Sequence, residues 1–94
     1  MSGLLSNLDE VDAVWALGTI VPTLDASIWR CDECGNLIHR HAYGDRNSSC
    51  GWEIDHRIPL GILGSDSMSN KRPLHWKVNA SLGGSLAQLL SNYR

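Results

Sequence analysis

The segment of residues 52–58, Trp-Glu-Ile-Asp-His-Arg-Ile, constrains the fold more than any other part of the sequence. Apolar and polar side chains alternate along it, although His56 interrupts the strict order, and a period of two is typical of a half-buried β-strand. Pro59 ends the predicted strand because it has no amide hydrogen to donate to a sheet. Residues 61–69 then form a loop rich in Gly, Ser and Asp.

The rest of the chain predicts helices on either side of this segment. Residues 6–17 have the spacing of a short amphipathic helix with acids in its first turn, and residues 37–39 form a short strand. A helix is expected from about Arg72 to Leu82, where a Gly-Gly pair follows, and another near the C-terminus. The predicted fold is a small α+β domain in the order helix, hairpin, helix, helix.

A length of 94 residues fits one domain that buries only about two-thirds of its surface. This excludes a multidomain enzyme, a barrel or a dinucleotide-binding fold. We expect residues 1–30 to form the N-terminal helix and an extended arm, and residues 31–94 to form the domain that carries the motifs. No apolar run approaches the roughly 20 residues of a membrane span, and the first residues do not have the pattern of a signal peptide. We therefore predict a cytoplasmic protein with no membrane partner.

The net charge of −2 argues weakly against a nucleic-acid partner, but the charges are unevenly divided. Residues 1–35 carry six acidic side chains against one arginine, whereas residues 36–94 carry seven basic side chains against four acidic ones. The basic part could therefore face phosphates while the acidic part lies on another surface. Ordinary solvated charge is the alternative explanation.

The chemical motifs lie in residues 52–83, WEIDHRIPLGILGSDSMSNKRPLHWKVNASLG. Asp55 and His56 are adjacent near a strand end, Asn70 follows His56 by 14 residues, and Asn79 follows Asn70 by 9. Each residue alone has a structural explanation, such as a turn carboxylate or a helix cap. The ordered set, with Ile-Pro-Leu, Gly-Ser-Asp and Ser-Asn-x-x-Pro-Leu-x-Trp between its members, resembles the HNH (ββα-metal) nuclease family over residues 31–83.

This resemblance implies a β-hairpin and helix that hold one divalent cation against a phosphate of DNA. By the same resemblance Asp55 and Asn79 supply oxygen ligands to Mg²⁺ or Mn²⁺, which prefer such ligands. His56 matches the general base that activates water, a role suited to an imidazole because it titrates near neutral pH. Asn70 matches the residue that braces the loop and orients the base. The expected activity is metal-dependent DNA endonuclease cleavage, and double-strand cutting would need a homodimer or a partner protein.

Three departures from the family pattern leave an alternative open. Many members carry Lys three residues after the last motif residue, where this chain has Leu82, and the usual Gly-Gly of the loop is Leu63-Gly64. The last motif residue is Asn79 rather than His, a variant whose neutral oxygen ligand suits Mg²⁺ or Mn²⁺ better than Zn²⁺. The residues that could supply a substitute phosphate contact are Arg57, Arg72 and Lys77. The alternative function is a catalytically inactive HNH-like module that binds nucleic acid or has a structural role. A weaker third reading is a toxin or accessory fragment whose partner supplies DNA affinity.

The cysteines raise a separate metal hypothesis. Cys31-Asp-Glu-Cys34 is a C-x₂-C pair, and an odd count of three cysteines argues against a disulfide framework. Many family members hold a structural zinc with two such pairs, but only a histidine occupies the second position here. The candidate zinc ligands are Cys31, Cys34, Cys50 and His75. The alternative is a site without metal in which the cysteines are buried thiols.

Overall fold

Residues 7–91, the part that the computed structural model describes, fold into two α-helices and two antiparallel sheets; side chains are described for residues 9–83. The elements in chain order are α1 (Asn7–Trp15), β1 (Thr19–Ile20), β2 (Trp29–Cys31), β3 (Leu37–His39), β4 (Trp52–His56), β5 (Lys71–His75) and α2 (Trp76–Ser91). Single 3₁₀ turns lie at Arg40–Ala42, Leu60–Ile62 and Met68–Asn70. The α+β class predicted from the sequence is confirmed.

The two sheets differ in how their strands are connected. The first has the order β1-β2-β3, and a short turn from Asp32 to Asn36 joins β2 to β3. The second contains β4 and β5, paired from Trp52 opposite His75 to His56 opposite Lys71, with the long loop between them. Because β5 leads directly into α2, the helix begins at the end of the hairpin opposite that loop and packs against both strands.

The core is built around an indole side chain, in a chain that has no phenylalanine. Trp52 is fully buried, and the rings of Trp15 and Tyr43 lie 5.3 Å and 5.0 Å from it between centroids. The apolar face of α1 packs on this centre together with one residue of β3. The members of the cluster are Val11, Val14, Trp15, Ile38 and Trp52.

Two of the predicted helices are wrong in their limits. The segment 71–75 is strand β5, and the helix begins only at Trp76. Four of the five side chains of β5 are buried, so neither face of the strand is solvated and its sequence shows no apolar–polar alternation. The predicted separate C-terminal helix is also wrong, since α2 continues through Gly83 to Ser91. Glycine in a helix costs about 1 kcal/mol relative to alanine, which weakens a helix without ending it.

The predicted extended arm is replaced by turns. Leu24 N–H donates to the carbonyl of Val21 at 3.0 Å, and Ile28 N–H donates to the carbonyl of Asp25 at 3.0 Å. These turns bring the chain into β2, which pairs with β1 and β3. Neither helix of the described part has the length and hydropathy needed to cross a membrane.

Candidate active site

A cleft of about 640 Å³ opens beside the end of β4, between the loop that follows it and the first turns of α2. The structure brings three of the four predicted motif residues to its lining, together with two of the three predicted phosphate contacts. These polar lining residues are Asp55, His56, Arg57, Arg72 and Asn79. Most of the remaining lining is apolar, from Ile54, Ile58, Pro59, Leu60, Ile62 and Leu82.

His56 is held by a carboxylate on the loop. Its Nε2 lies 2.8 Å from Oδ1 of Asp66. A carboxylate can only accept, so in the neutral ring Nε2 carries the hydrogen and Nδ1 keeps a lone pair. No residue of the described part bonds to that Nδ1. The hydrogen bond from His56, followed by that from Lys71, lowers the pKa of Asp66 below its ordinary value.

Asp66 is itself tied to the N-terminal helix through a buried cation. Lys71 Nζ lies 3.3 Å from Oδ1 of Asp66 and 2.5 Å from Oε1 of Glu10 in α1. The hydrogen bond to Glu10 is the main cause that raises the pKa of the Lys71 ammonium, against the desolvation that lowers it. Helix α1 therefore supports the loop that orients His56. Sequence reasoning missed this support, because no local pattern links residues 61 positions apart.

Asp55 has one engaged oxygen and one open oxygen. Its Oδ2 accepts a hydrogen bond of 2.8 Å from Nε of Arg72, which lies directly opposite on β5. Its Oδ1 has no hydrogen-bond partner among the described residues. The side chain is half-buried, so the carboxylate is fixed in direction while remaining accessible from the cleft.

Asn79 is oriented in a similar way by Glu53. Its Nδ2 donates to Oε1 of Glu53 at 2.8 Å, which leaves its Oδ1 without a partner in the described part of the chain. Arg46 holds both oxygens of Glu53 at 2.7 Å and 2.8 Å, and this contact is the first cause that lowers the pKa of Glu53. Glu53 precedes Asp55 by two residues, so both side chains lie on the same side of β4.

The open oxygens of Asp55 and Asn79 fit a hard divalent cation. One carboxylate and one carboxamide line the same cleft, and Mg²⁺ is usually held by one or two protein oxygens with water and phosphate completing its shell. Over the described residues, no group of three or more His, Cys, Asp or Glu side chains is arranged to hold a metal ion. A site of one carboxylate and one carboxamide does not require such a group.

Asn70 lies behind the cleft and closes the loop. Its Oδ1 accepts from the amide of Ile58 at 2.9 Å, while its Nδ2 donates to the carbonyls of Ile58 at 2.9 Å and Ser65 at 2.7 Å. A Cβ on Gly64 would lie 1.7 Å from the carbonyl oxygen of Ile58, so glycine is required there. Leu63 has φ 71°, a left-handed conformation that costs a side-chain-bearing residue about 1–2 kcal/mol. Of the two positions where the family usually has Gly-Gly, this chain therefore keeps glycine at the one where a side chain would clash.

The predicted phosphate contacts fall into two groups. Arg57 and Arg72 lie in the cleft lining, and both donate to the carboxylate of Glu33 in the β2–β3 turn, Arg57 at 2.8 Å and 2.5 Å. Arg57 is the first cause that lowers the pKa of Glu33. Lys77 instead lies over the ring of Trp76 at 5.6 Å from its centroid, outside the cleft lining. Glu33 was not a candidate from the sequence, where only its charge distinguishes it.

The candidate zinc residues are organised by other contacts. Cys31 and Cys50 are half-buried and Cys34 is exposed, all as free thiols. Both ring nitrogens of His75 are engaged, because Nε2 donates to the carbonyl of Ser49 at 2.8 Å and Nδ1 accepts from the amide of Lys77 at 3.1 Å. A structural zinc stays a prediction, and His75 would have to give up one of these bonds to serve it.

Asp32 fastens the C-x₂-C turn in the place where zinc was predicted to act. It is 2% exposed, and its carboxylate accepts hydrogen bonds from the amides of Cys34, Asn36 and His75 and from the Asn36 side chain, at 2.8–3.2 Å. Since His75 ends β5, this one carboxylate joins the turn to the hairpin.

Comparisons with protein-family models, with curated proteins and with solved structures return no match for this chain. A functional proposal therefore rests on its own residues and their geometry.

Proposed function

We propose that this chain is a metal-dependent endonuclease of the HNH (ββα-metal) type that hydrolyses phosphodiester bonds of DNA. One observation carries the proposal. His56, Asp55 and Asn79 are each fixed through one polar atom, and their other polar atom has no partner among the described residues in a shared cleft. The succession of β4, β5 and α2 along the chain supports a ββα-metal core.

The chemistry assigned to the chain's own residues is proton transfer and orientation. His56 Nδ1 accepts a proton from a water molecule while the water oxygen attacks phosphorus and the bond to the leaving oxygen breaks. Asp66 accepts the hydrogen bond from Nε2 and so keeps the imidazole in the tautomer that leaves Nδ1 free to accept. Asp55 and Asn79 would hold Mg²⁺ or Mn²⁺ through their open oxygens. A bound cation of this kind supplies charge neutralisation for the phosphate and the leaving oxygen.

The alternative is an HNH-like module that binds nucleic acid without cutting it, or has a structural role only. The contact between Arg72 and Asp55 favours this alternative, because the arginine occupies one oxygen of the proposed cation ligand. Leu82 favours it as well, since it places an apolar side chain where many members of the family carry lysine.

A plasmid-cleavage assay separates the two functions. The purified chain, incubated with supercoiled DNA and Mg²⁺ or Mn²⁺, is expected to produce the nicked form and to stop when EDTA is added. His56→Ala is expected to lower the rate by about 10²–10⁴-fold, the usual contribution of a general base. His41→Ala is the matched control, because His41 is an exposed histidine outside the cleft lining.

Equal background nicking by the wild type and His56→Ala contradicts the nuclease proposal. If the wild type binds a DNA duplex in EDTA and does not cut plasmid with either metal, the inactive binding module is the better description. A strong loss of cleavage in His41→Ala would show that the effect of His56→Ala is not specific to the cleft.

A further inference from the structure

Two arginines at the cleft share a single carboxylate from a distant part of the chain. Arg57 comes from the loop after β4, Arg72 comes from β5, and both donate to Oε1 of Glu33. Arg57 also donates to Oε2 at 2.5 Å. Two guanidinium groups that converge on one carboxylate form an arrangement that also recognises a phosphate group. A carboxylate and a phosphate both present several acceptor oxygens to the planar pairs of N–H donors of arginine.

The position of these arginines connects them to the proposed cleavage site. Arg72 uses Nε to hold Asp55 and Nη1 to hold Glu33. An anion in place of the Glu33 carboxylate would therefore contact the same guanidinium group that holds Asp55, the proposed cation ligand. Glu33 lines an adjoining cleft of about 290 Å³ together with both arginines and Lys71, whose ammonium is already held by Glu10 and Asp66. Arg57 and Arg72 line both clefts and so connect the position of Glu33 to the proposed cleavage site.

Glu33 can leave this position without a change in the fold. Its side chain is 39% exposed, and the hydrogen bonds that it makes within the described residues are those to Arg57 and Arg72. The turn that carries it is fixed independently by the buried carboxylate of Asp32. Ion pairs of this exposure contribute little to stability.

We propose that Arg57 and Arg72 form a phosphate-binding subsite that Glu33 occupies as an internal anion, and that an incoming phosphate displaces the Glu33 side chain. DNA as the source of that phosphate rests on the proposed function, whereas the subsite itself does not. Glu33 then weakens binding by competition. Were it instead a residue that holds the arginines in position, its removal would weaken binding.

The test uses Glu33→Gln, which keeps the shape of the side chain and removes its charge. Two probes are used. Binding of inorganic phosphate is measured from the NMR signals of the arginine Nε–H groups, and binding of a short DNA duplex in EDTA is measured by fluorescence anisotropy. Asp12→Asn is the matched control, because it removes one negative charge from another exposed ion pair, that with Arg40. Circular dichroism verifies that each variant is folded.

Glu33→Gln is expected to bind both probes roughly threefold more tightly than the wild type, the size set by losing one exposed ion-pair competitor. Asp12→Asn is expected to change binding by much less. In an Arg57→Ala background the gain from Glu33→Gln is expected to shrink, since one of the two arginines that Glu33 neutralises is gone. This double-mutant comparison separates local competition from the general effect of net charge.

Binding by Glu33→Gln that is no tighter than binding by Asp12→Asn overturns the proposal, and so does weaker binding. A gain for phosphate and duplex in a chain that never cuts plasmid leaves the subsite standing and removes the nuclease function. Cleavage of plasmid without any gain from Glu33→Gln removes the subsite alone.

Discussion

Two buried or half-buried aspartates, Asp32 and Asp55, show how differently the two regions of this molecule use the same side chain. Asp32 sits in the β2–β3 turn, and four N–H donors saturate its carboxylate. Asp55 sits at the hairpin, where one arginine holds one oxygen and the other oxygen is open in the described structure. A saturated carboxylate can only stabilise, whereas a carboxylate held from one side can also bind a ligand.

The same contrast extends to the neighbours of these residues. Both ring nitrogens of His75, close to Asp32, are hydrogen-bonded, but only one nitrogen of His56 in the cleft is bonded to another described residue. Hydrogen-bond saturation therefore distinguishes the structural region from the candidate site more clearly than residue type does. We expect substitutions in the saturated region to lower stability and substitutions in the cleft to lower activity.

The largest expected effects come from replacing each of the two aspartates in turn. Asp55→Ala is expected to lower plasmid cleavage by at least about 100-fold and to leave the fold intact, because it removes a proposed cation ligand at the cleft. Asp32→Ala is expected to lower the free energy of unfolding by about 3 kcal/mol or more, because it leaves several buried amides without an acceptor. Cleavage rates and chemical denaturation are measured on both variants.

A loss of this size is a large part of the total stability of a small domain, so Asp32→Ala could be largely unfolded. Asp32→Asn retains one acceptor oxygen, and its free energy of unfolding is expected to lie between those of the wild type and Asp32→Ala. The comparison breaks down if Asp55→Ala unfolds the chain as readily as Asp32→Ala does.

A smaller effect is expected from Glu53, which acts through Asn79. Glu53→Ala removes the acceptor that orients the Asn79 carboxamide and is expected to raise the Mg²⁺ concentration for half-maximal cleavage by about tenfold. Glu53→Gln keeps an acceptor oxygen and is expected to restore most of the affinity. A metal titration of the cleavage rate checks both variants, and identical curves for the wild type and Glu53→Ala would rule out this positioning role.

The smallest expected effect concerns pH and is shared by the two regions. The pKa values of Glu33 and Glu53 are lowered below the ordinary value of 4.5, chiefly by Arg57 and Arg46 respectively. The unfolded chain therefore binds these protons more readily, so the contribution of each pair is complete above about pH 4.5 and is lost as the pH falls through the folded-state pKa. Each contribution is under about 1 kcal/mol because solvent screens the pairs.

Thermal unfolding between pH 7 and pH 3 measures this dependence. The double variant Glu33→Gln and Glu53→Gln is expected to lose less stability than the wild type over the acid part of that range. An equally steep loss in both proteins would show that other carboxylates carry the acid sensitivity.

The sequence predicted the parts of this molecule that depend on local order. The alternation in residues 52–58 predicted β4. The resemblance to the HNH family implied that Asp55, His56 and Asn79 lie together, and these three line one cleft, whereas Asn70 lies behind it. Strand β5 was taken for a helix because burial on both faces removes the alternation that identifies a strand. A period of two is visible only when one face is solvated.

The residues that support the site were largely beyond sequence reasoning. Glu10 reaches Lys71 across 61 positions, and Glu33 reaches Arg72 across 39. Such pairs depend on how α1 and the β2–β3 turn pack against the hairpin, and neither spacing nor local pattern encodes that packing. Asp66 was within the quoted motif, but only the loop conformation shows that it bonds to His56.

The carboxamide of Asn70 has a consequence for the folding of this chain. Its bonds to Ile58 close a ring between residues 12 positions apart, and closing a loop of that length costs about 2 kcal/mol of chain entropy. Pairing of β4 with β5 requires the same closure, so the two events assist each other and form one cooperative step. The histidine that is proposed to activate water therefore gains its surroundings only when the hairpin closes, and during refolding the proposed cleavage should not return before that closure.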